Sequence, residues 1–302
     1  VPGIIFLDKP SGWTSRRAVN EVARIFSTPG QKRIKAGHGG TLDPLATGML
    51  PILLGDATRF ADMGLNAEKS YRVSFDLSFQ SDTLDMEGEV TGRFDASVSQ
   101  QQLESVLPEF RGAIEQIPPQ YSAIRIDGKR AHDLARRGKH VDMQPRRVTV
   151  YSLRLLAFSF PLVTLAVTCS KGTYIRSLAR DIGTNLGMGG CVTDLRRLST
   201  GGWPEAMMVS PRQLAADREA CLLPLAQWLR DLGRQVLTAA DGRRFLQGQR
   251  IQLHQTEADA EETSVTVFSQ DMLLGTGVLK PGMRHMVLHP VKIMPSAQKR
   301  LL

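Results

Sequence analysis

Residues 37–59 read GHGGTLDPLATGMLPILLGDATR, and this stretch constrains the chain more than any other. It opens on His38 among three glycines, sets one carboxylate, Asp43, directly before Pro44, and runs through Thr47 and Gly48 into the apolar segment Met49 to Leu54. Glycines let a backbone turn sharply and let a ligand come close. Pro44 pushes Asp43 out of the α region into extended space, so the acid belongs on a stiffened segment. Thr41 and Thr47 can tie the loop to neighbouring backbone through their hydroxyls. The run MLPILL then reads as a buried strand that anchors the loop to a core. A lone carboxylate held in this way can serve as a nucleophile or a general base. An aspartate before proline is most often a structural Asx turn, and taken alone the stretch favours that reading. Two other chemistries drop out. No Gly-Lys-Ser or Gly-Lys-Thr stands at P-loop spacing. His38-Gly39-Gly40 lacks the Gly-x-Ser-x-Gly elbow that accompanies a lipase oxyanion loop.

Taken whole, the stretch resembles the signature of the TruB-type tRNA pseudouridine synthases, Gly-His-x-Gly-x-Leu-Asp-Pro-x-Ala-Thr-Gly-x-Leu-Pro. Every fixed position is present between Gly37 and Pro51, and Gly39 stands at a variable place where many relatives carry threonine. Further motifs follow the family's order. Asp8-Lys9-Pro10 is similar to the first, with Lys9 and Pro10 read as structural. Lys69-Ser70-Tyr71 is similar to a Lys-x-Tyr motif, and Ser81-Asp82-Thr83-Leu84-Asp85 with Glu87-Gly88 to a Thr-Asp-Thr-x-Asp-x-x-Gly loop in which Ser81 replaces threonine. Tyr121-Ser122-Ala123 with Gly128-Lys129, then Lys171-Gly172-Thr173-Tyr174-Ile175-Arg176, then Leu195-Arg196-Arg197-Leu198, complete the resemblance across roughly the first 200 residues.

The resemblance implies roles. Asp43 is the catalyst, Tyr71 stacks on the target base, and Tyr174 and Leu195 line the pocket. Arg176 pairs with Asp43, and His38 fills the space that the departing base leaves. Asp82 and Asp85 shape their loop. The residues also have plainer readings: Tyr71 as a core or edge aromatic, Leu195 as core and Arg176 as half of a surface ion pair. An arginine in a helix's first turn opposes the helix dipole, however, so it calls for an anion.

Charge points the same way. The net charge is +8 over 302 residues, which favours a polyanionic partner. Between Arg125 and Arg147 eight Lys or Arg stand against three Asp, a net of +5. That segment, entered at Pro118-Pro119, reads as an RNA-gripping insertion, with a short basic helix over Lys129 to Arg137 and Lys129, Arg130, Arg136 and Arg137 as phosphate contacts. The plainer reading of the segment is a solvated charged face. Lys32, Arg33 and Lys35 form a smaller cluster before the His38 loop, and Glu257 to Glu262 reads as an acidic loop. Three separated cysteines, Cys169, Cys191 and Cys221, fit a reduced compartment and neither a disulfide framework nor a zinc site. No apolar run approaches a membrane span and no signal peptide is read.

Periodicity supplies the elements. Ile4 to Leu7 reads as a buried strand, and Ser15 as the cap of a helix to about Phe26 with Val19, Val22, Ala23 and Phe26 on one face. Lys69 to Ser78 alternates with period two, with Tyr71, Val73, Phe75 and Leu77 on one side. Val98 to Leu107 reads as a helix, and Val148 to Phe158 and Leu162 to Cys169 as paired strands. In the helix after Lys171, Ile175, Leu178, Ala179, Ile182 and Leu186 share the buried face while Arg176 and Arg180 lie on others. Past Pro211 the resemblance weakens. Gln235 to Leu253 and Ser264 to Pro290 carry short strands such as Val265 to Phe268 and Leu273 to Gly277. His285 and His289 stand at i, i+4 without a third metal ligand.

The fold that the resemblance implies is α+β: a pseudouridine synthase fold with a mixed, mainly antiparallel sheet and flanking helices, plus a small C-terminal β-rich, PUA-like domain. Residues 1–212 are expected to form the catalytic domain, with 117–147 a basic thumb insertion, and 235–302 the C-terminal RNA-binding domain. The activity implied is isomerisation of uridine to pseudouridine at position 55 in the T-arm loop of tRNA, in the cytoplasm, by a monomer with no cofactor, no metal and no obligate protein partner. A non-catalytic RNA-binding or RNA-folding module on the same surface is the alternative. A third reading is the related synthase subunit of guide-RNA particles, a class that usually carries a longer C-terminal domain and basic tails.

Overall fold

The computed structural model describes residues 2–122, 124–126, 129–135, 142–253, 261–282 and 285–301, with the side chains of 125–126, 129–130, 132 and 133 not described. The chain opens with strand β1 (Gly3–Lys9) and helix α1 (Ser15–Phe26), then β2 (Ala36–His38), β3 (Thr47–Leu54), α2 (Ala61–Asn66) and β4 (Lys69–Asp76). A small hairpin, β5 (Phe79–Ser81) and β6 (Val90–Arg93), precedes α3 (Gln100–Val106) and β7 (Gly112–Gln116). In the basic insertion β8 (Arg125–Ile126) pairs β9 (Lys129–Arg130), and α4 (Ala131–Ala135) follows. Then come β10 (Arg146–Ser159), β11 (Leu162–Cys169), α5 (Ile175–Asn185) and β12 (Cys191–Thr200). α6 (Pro211–Ala216), β13 (Leu223–Pro224) and α7 (Leu225–Trp228) lead into the last unit. That unit comprises β14 (Gly233–Leu237), α8 (Ala239–Leu246), β15 (Ile251–Leu253), β16 (Thr263–Ser269), β17 (Met272–Lys280), β18 (Met286–Ile293) and α9 (Pro295–Leu301).

The main sheet runs β13-β1-β3-β12-β4-β11-β10-β7, with β2 added on β3. Only the β3–β12 contact in it is parallel. β1 covers the whole of one edge of β3. The other edge is shared: Thr47 and Gly48 meet β12, whereas Ile52 to Leu54 meet β2. The sheet therefore forks at Met49 to Pro51, and the loop carrying Asp43 closes over the fork.

Strand alternation sends residues to two cores. Ile5, Leu7, Leu50, Ile52, Leu54, Tyr71, Val73 and Phe75 join one cluster with α1, α3 and α5. Ile4, Phe6, Met49 and Leu53 join a second with Trp203, Trp228, Phe245, Val265 and Leu288, which docks the last unit on the opposite face. Burying each such large apolar side chain is worth roughly 1.5–3 kcal/mol. A five-stranded sheet, β14-β16-β17-β18-β15, carries the last unit, and this β-rich piece stands where the sequence places one.

Several local expectations need correction. Ser15 is the first residue of α1 and not its cap. Thr14 caps the helix by accepting from the Arg17 N–H, which frees the Ser15 hydroxyl for the Asp43 loop. The basic helix begins at Ala131, because Lys129 and Arg130 are spent on the hairpin; Arg136, Arg137 and Gly138 lie outside the described residues, as do 257–260 of the acidic loop. Arg176 is 5% exposed and lies within a fully buried run, Ile175 to Ala179. Its helix is enclosed on both sides, by the sheet and by the 81–88 and 116–122 segments. Phe26 and Leu186 are half-buried at their helix ends.

Candidate active site

The site lies on the face of the sheet that carries α1 and α5. Tyr71 on β4 and Arg197 on β12 are register partners, as are Val73 and Leu195, so all four side chains point to that face. Asp43 sits above them on the loop between β2 and β3.

That loop is clamped on both sides of the acid. Before it, Leu42 donates its N–H to the Ser15 hydroxyl, which donates in turn to the Leu42 carbonyl, both at 2.8 Å. After it, the Pro44 carbonyl accepts from the Gly12 N–H at 2.8 Å and from Lys9 Nζ at 3.2 Å. Lys9 is wholly buried and gives its other two protons to the carbonyls of Pro10 at 3.0 Å and Trp13 at 2.7 Å. Burial brings its ammonium down to about 8, with Asp43 and Glu87 nearby opposing the shift. The structural role read for Lys9 is thus a specific one: it ties the first turn of the chain to the Asp43 loop.

Arg176 holds the carboxylate itself. Its Nε lies 2.8 Å from Asp43 Oδ2, with the arginine side chain 6% exposed and the aspartate 34%. Both other guanidinium nitrogens are engaged as well: Nη1 meets Asp85 Oδ2 at 3.3 Å and the Thr83 carbonyl at 2.6 Å, and Nη2 the Tyr121 carbonyl at 3.0 Å. Asp85 does shape its loop, accepting from Thr83 Oγ1 at 2.6 Å and the Glu87 N–H at 3.1 Å. It is also the second acid at the site, which the sequence reading lacked. Burial and the neighbouring charges of Asp85 and Asp43 raise Glu87 from its ordinary value. Asp82 accepts from the Glu89 N–H and the Tyr121 hydroxyl at the loop's outer side.

Tyr71 is buried, and its phenol is pushed up by desolvation, with the Arg197 charge opposing the shift. Leu195 is buried beside it in the same cluster. Tyr174 is half-buried at the N-terminus of α5. Gln116 holds its backbone by accepting from the N–H at 2.7 Å and donating to the carbonyl at 3.1 Å. Burial raises the Tyr174 phenol too, with neighbouring Ser122 and Arg146 opposing the shift. His38, at the end of β2, is lowered by burial and by Arg197, so it is neutral near pH 7. Asp43, Tyr71, Tyr174, Arg176, Leu195 and His38 thus gather around one region. Lys129 and Arg130 lie in the β8–β9 hairpin, away from the sheet register that builds it.

From the sequence alone, Lys69 and Arg197 take a place in motifs but no role, and Gln116 takes none. Arg197 is 1% exposed and donates to the carbonyls of Met49 at 2.6 Å, Thr41 at 3.3 Å and Gly40 at 3.1 Å. Met49 lies at the fork, where its carbonyl meets Arg197. Gly48 is required beneath it: its φ is +94° and an added Cβ would stand 2.2 Å from the Arg197 carbonyl oxygen. The glycine here serves close approach of the chain to itself. Lys69 is buried, lowered to about 8 by desolvation and by Arg197, and donates to the carbonyls of Leu65 and Ala67 at the end of α2.

No group of three or more His, Cys, Asp or Glu that could hold a metal occurs among the described residues. Likewise no described helix is long and apolar enough to cross a membrane.

Comparison with known proteins agrees with this geometry. Residues 25–175 match the TruB family pseudouridylate synthase N-terminal domain, and residues 176–236 the tRNA pseudouridylate synthase B C-terminal domain. The tRNA pseudouridine synthase B of Chromohalobacter salexigens is 43% identical over 269 residues, 87% of this chain and 86% of that one. That of Caulobacter vibrioides is 38% identical over 306 residues, 97% and 96% of the two chains. Among solved structures, a Cbf5–Nop10–Gar1 complex contains a chain that superposes with a TM-score of 0.73 at 24% identity, over 97% of this chain and 84% of that one, a likeness of fold. Two adjoining matched regions from residue 25 to residue 236, with relatives this similar along nearly the whole length of both chains, establish that the chain belongs to the TruB family of pseudouridylate synthases.

Proposed function

We propose that this enzyme acts on the T-arm loop of tRNA and converts the uridine at position 55 to pseudouridine, with Asp43 as the catalytic carboxylate. The enzyme is an isomerase of tRNA uridine, and its relatives carry the name tRNA pseudouridine synthase B. The observation that carries the assignment of Asp43 is its pairing with buried Arg176 on a loop fastened at Leu42 and Pro44, while a third of its side chain stays open.

The reaction breaks the bond between uracil N1 and the ribose carbon C1′, turns the base, and joins C5 to that same carbon. N1 gains a proton and C5 loses one, so no oxidant, reductant or external group enters. Asp43 serves as nucleophile on the ribose or as base toward a ribose proton; both need the same ionised oxygen, aimed by Arg176 at its partner oxygen. Extruding the base from the loop costs roughly a few kcal/mol. Tyr71 offers a ring for stacking, Leu195 and Tyr174 apolar walls, and neutral His38 a filler for the vacated place in the loop. The buried positions of Tyr71 and Leu195 suit a pocket that excludes water.

Residues 1–212 then serve as the catalytic unit, 117–147 as a basic thumb on the RNA, and 235–302 as a PUA-like unit for the rest of the tRNA. Action as a monomer, in the cytoplasm, without an obligate protein partner completes the reading. The test is incubation with an unmodified tRNA transcript. One T-loop uridine should convert with no change in mass, detected by chemical marking of pseudouridine. Tight binding without conversion would return the protein to a tRNA-folding module, and conversion elsewhere would refute the assigned position.

A further inference from the structure

Arg197 is the largest of the fully buried side chains described, and no carboxylate pairs with it among the described residues. Its side-chain partners are the Met49, Thr41 and Gly40 carbonyls, and its backbone is the register partner of Tyr71. Burying a cation against neutral dipoles alone is costly, and a core residue of the same volume would fill this place at less cost. The fork of a guanidinium does what such a residue cannot. It fixes several acceptors at set angles in one plane.

The acceptors are informative. Gly40 and Thr41 lie three and two residues before Asp43, on the stretch that Ser15 also grips. Met49 begins the apolar run on the loop's far side. Tyr71 stands across the β4–β12 pairing. Arg197's own backbone meets Gly48 on one flank and Tyr71 on the other. One residue thus touches, by backbone and side chain, both the loop that carries the acid and the strand that carries the ring. Arg176 fixes the carboxylate but does not reach Tyr71 through any described hydrogen bond.

We propose that Arg197 is the positioning residue of this site: it locks the Asp43 loop and the Tyr71 ring into one frame and so sets the gap in which the flipped uridine is held. It is buried beneath the loop and contributes alignment, not RNA affinity. This rests on the reading of Asp43 and Tyr71 as site residues, so Asp43→Asn is assayed alongside. If that variant still isomerises, the site reading fails whatever Arg197 does.

Arg197→Lys keeps the charge but not the fork, and Arg197→Gln keeps a planar donor without the charge. On a T-arm hairpin, each should lower the single-turnover rate by about tenfold or more with affinity within about threefold. Amide exchange should quicken at Thr41, Leu42 and Tyr71 while Val163 to Val167 in β11 stay protected. In a Tyr71→Phe background Arg197→Lys should cost distinctly less rate than in the wild type, since the hydroxyl on Arg197's register partner is already gone. A purely structural role costs the same in both backgrounds. A folded variant with wild-type rate, a loss that appears in affinity alone, equal costs in both backgrounds, or failure of both variants to fold each overturns the assignment.

Discussion

Arg176 and Asp85 form an ion pair of 3.3 Å in which the two side chains are 6% and 3% exposed, so the arginine that holds the open acid is itself anchored by a closed one. Removing Asp85 leaves Arg176 with the half-open Asp43 as its carboxylate partner and takes the acceptor from Thr83 Oγ1 and the Glu87 N–H. Asp85→Ala should therefore destabilise the fold by about 1–3 kcal/mol and release Arg176 from its fixed angle to Asp43. Urea unfolding would measure the first effect, and single-turnover rates the second. Unchanged stability would mean that Asp43 and the Thr83 and Tyr121 carbonyls hold Arg176 without Asp85.

Lys9 predicts a pH dependence. Its amine falls from an unfolded value of 10.5 to about 8 when buried, so the unfolded chain binds more protons between those limits. Stability then rises with pH in that window, and below pH 8 the cost of burying the charge is fully present. Lys9→Met has no such term. From pH 7 to pH 9.5 the wild type should gain about 2 kcal/mol relative to Lys9→Met in urea unfolding. A pH-independent difference would show that the amine keeps its unfolded affinity for protons.

How much of this could be read from residues alone differs from one part of the site to the next. The alternation Tyr71, Val73, Phe75 named a buried strand face, and the first-turn Arg176 called for an anion; both signals are local. Arg197 gave no local signal, because an arginine in a strand looks solvated and its carbonyl partners Met49 and Gly40 lie 148 and 157 residues away in the chain. Thr14 and Ser15 are both competent caps, and only the distant Leu42 decides which one is free. Asp85 was legible as a loop former but not as a partner of Arg176, since their pairing depends on how two loops meet over α5.

The basic segment should act through charge. For each phosphate that the protein no longer neutralises on single-stranded RNA, the slope of log affinity against log salt falls by about 0.7. Alanine at Lys129, Arg130, Arg136 and Arg137 should weaken binding and flatten that slope together, on a T-arm hairpin as on whole tRNA. Affinity and slope both unchanged on the two RNAs would make the segment an ordinary solvated face.

The last unit is joined to the catalytic sheet by a shared core. Trp228 donates Nε1 to the Phe60 carbonyl at 3.1 Å, packs 5.8 Å from Phe6, and stands close enough to Gly64 that a Cβ there would meet its ring at 3.1 Å. Trp228→Ala should cost about 3–5 kcal/mol. Because the second cluster draws on both units, calorimetry of the wild type should give one cooperative transition. Two separated transitions in the wild type would show that the units unfold independently.

Asp43 carries the central claim. Its carboxylate is presented by a loop fastened at Leu42 and Pro44 and aimed by Arg176, and Asp43→Asn keeps the size of that side chain while removing its charge and basicity. The direct measurement is single-turnover conversion of the T-loop uridine by Asp43→Asn, with binding of the same RNA measured in parallel. The expected result is loss of isomerisation to a trace with affinity within a few-fold of wild type. Turnover by the asparagine variant at an appreciable fraction of the wild-type rate would show that Asp43 is not the catalyst.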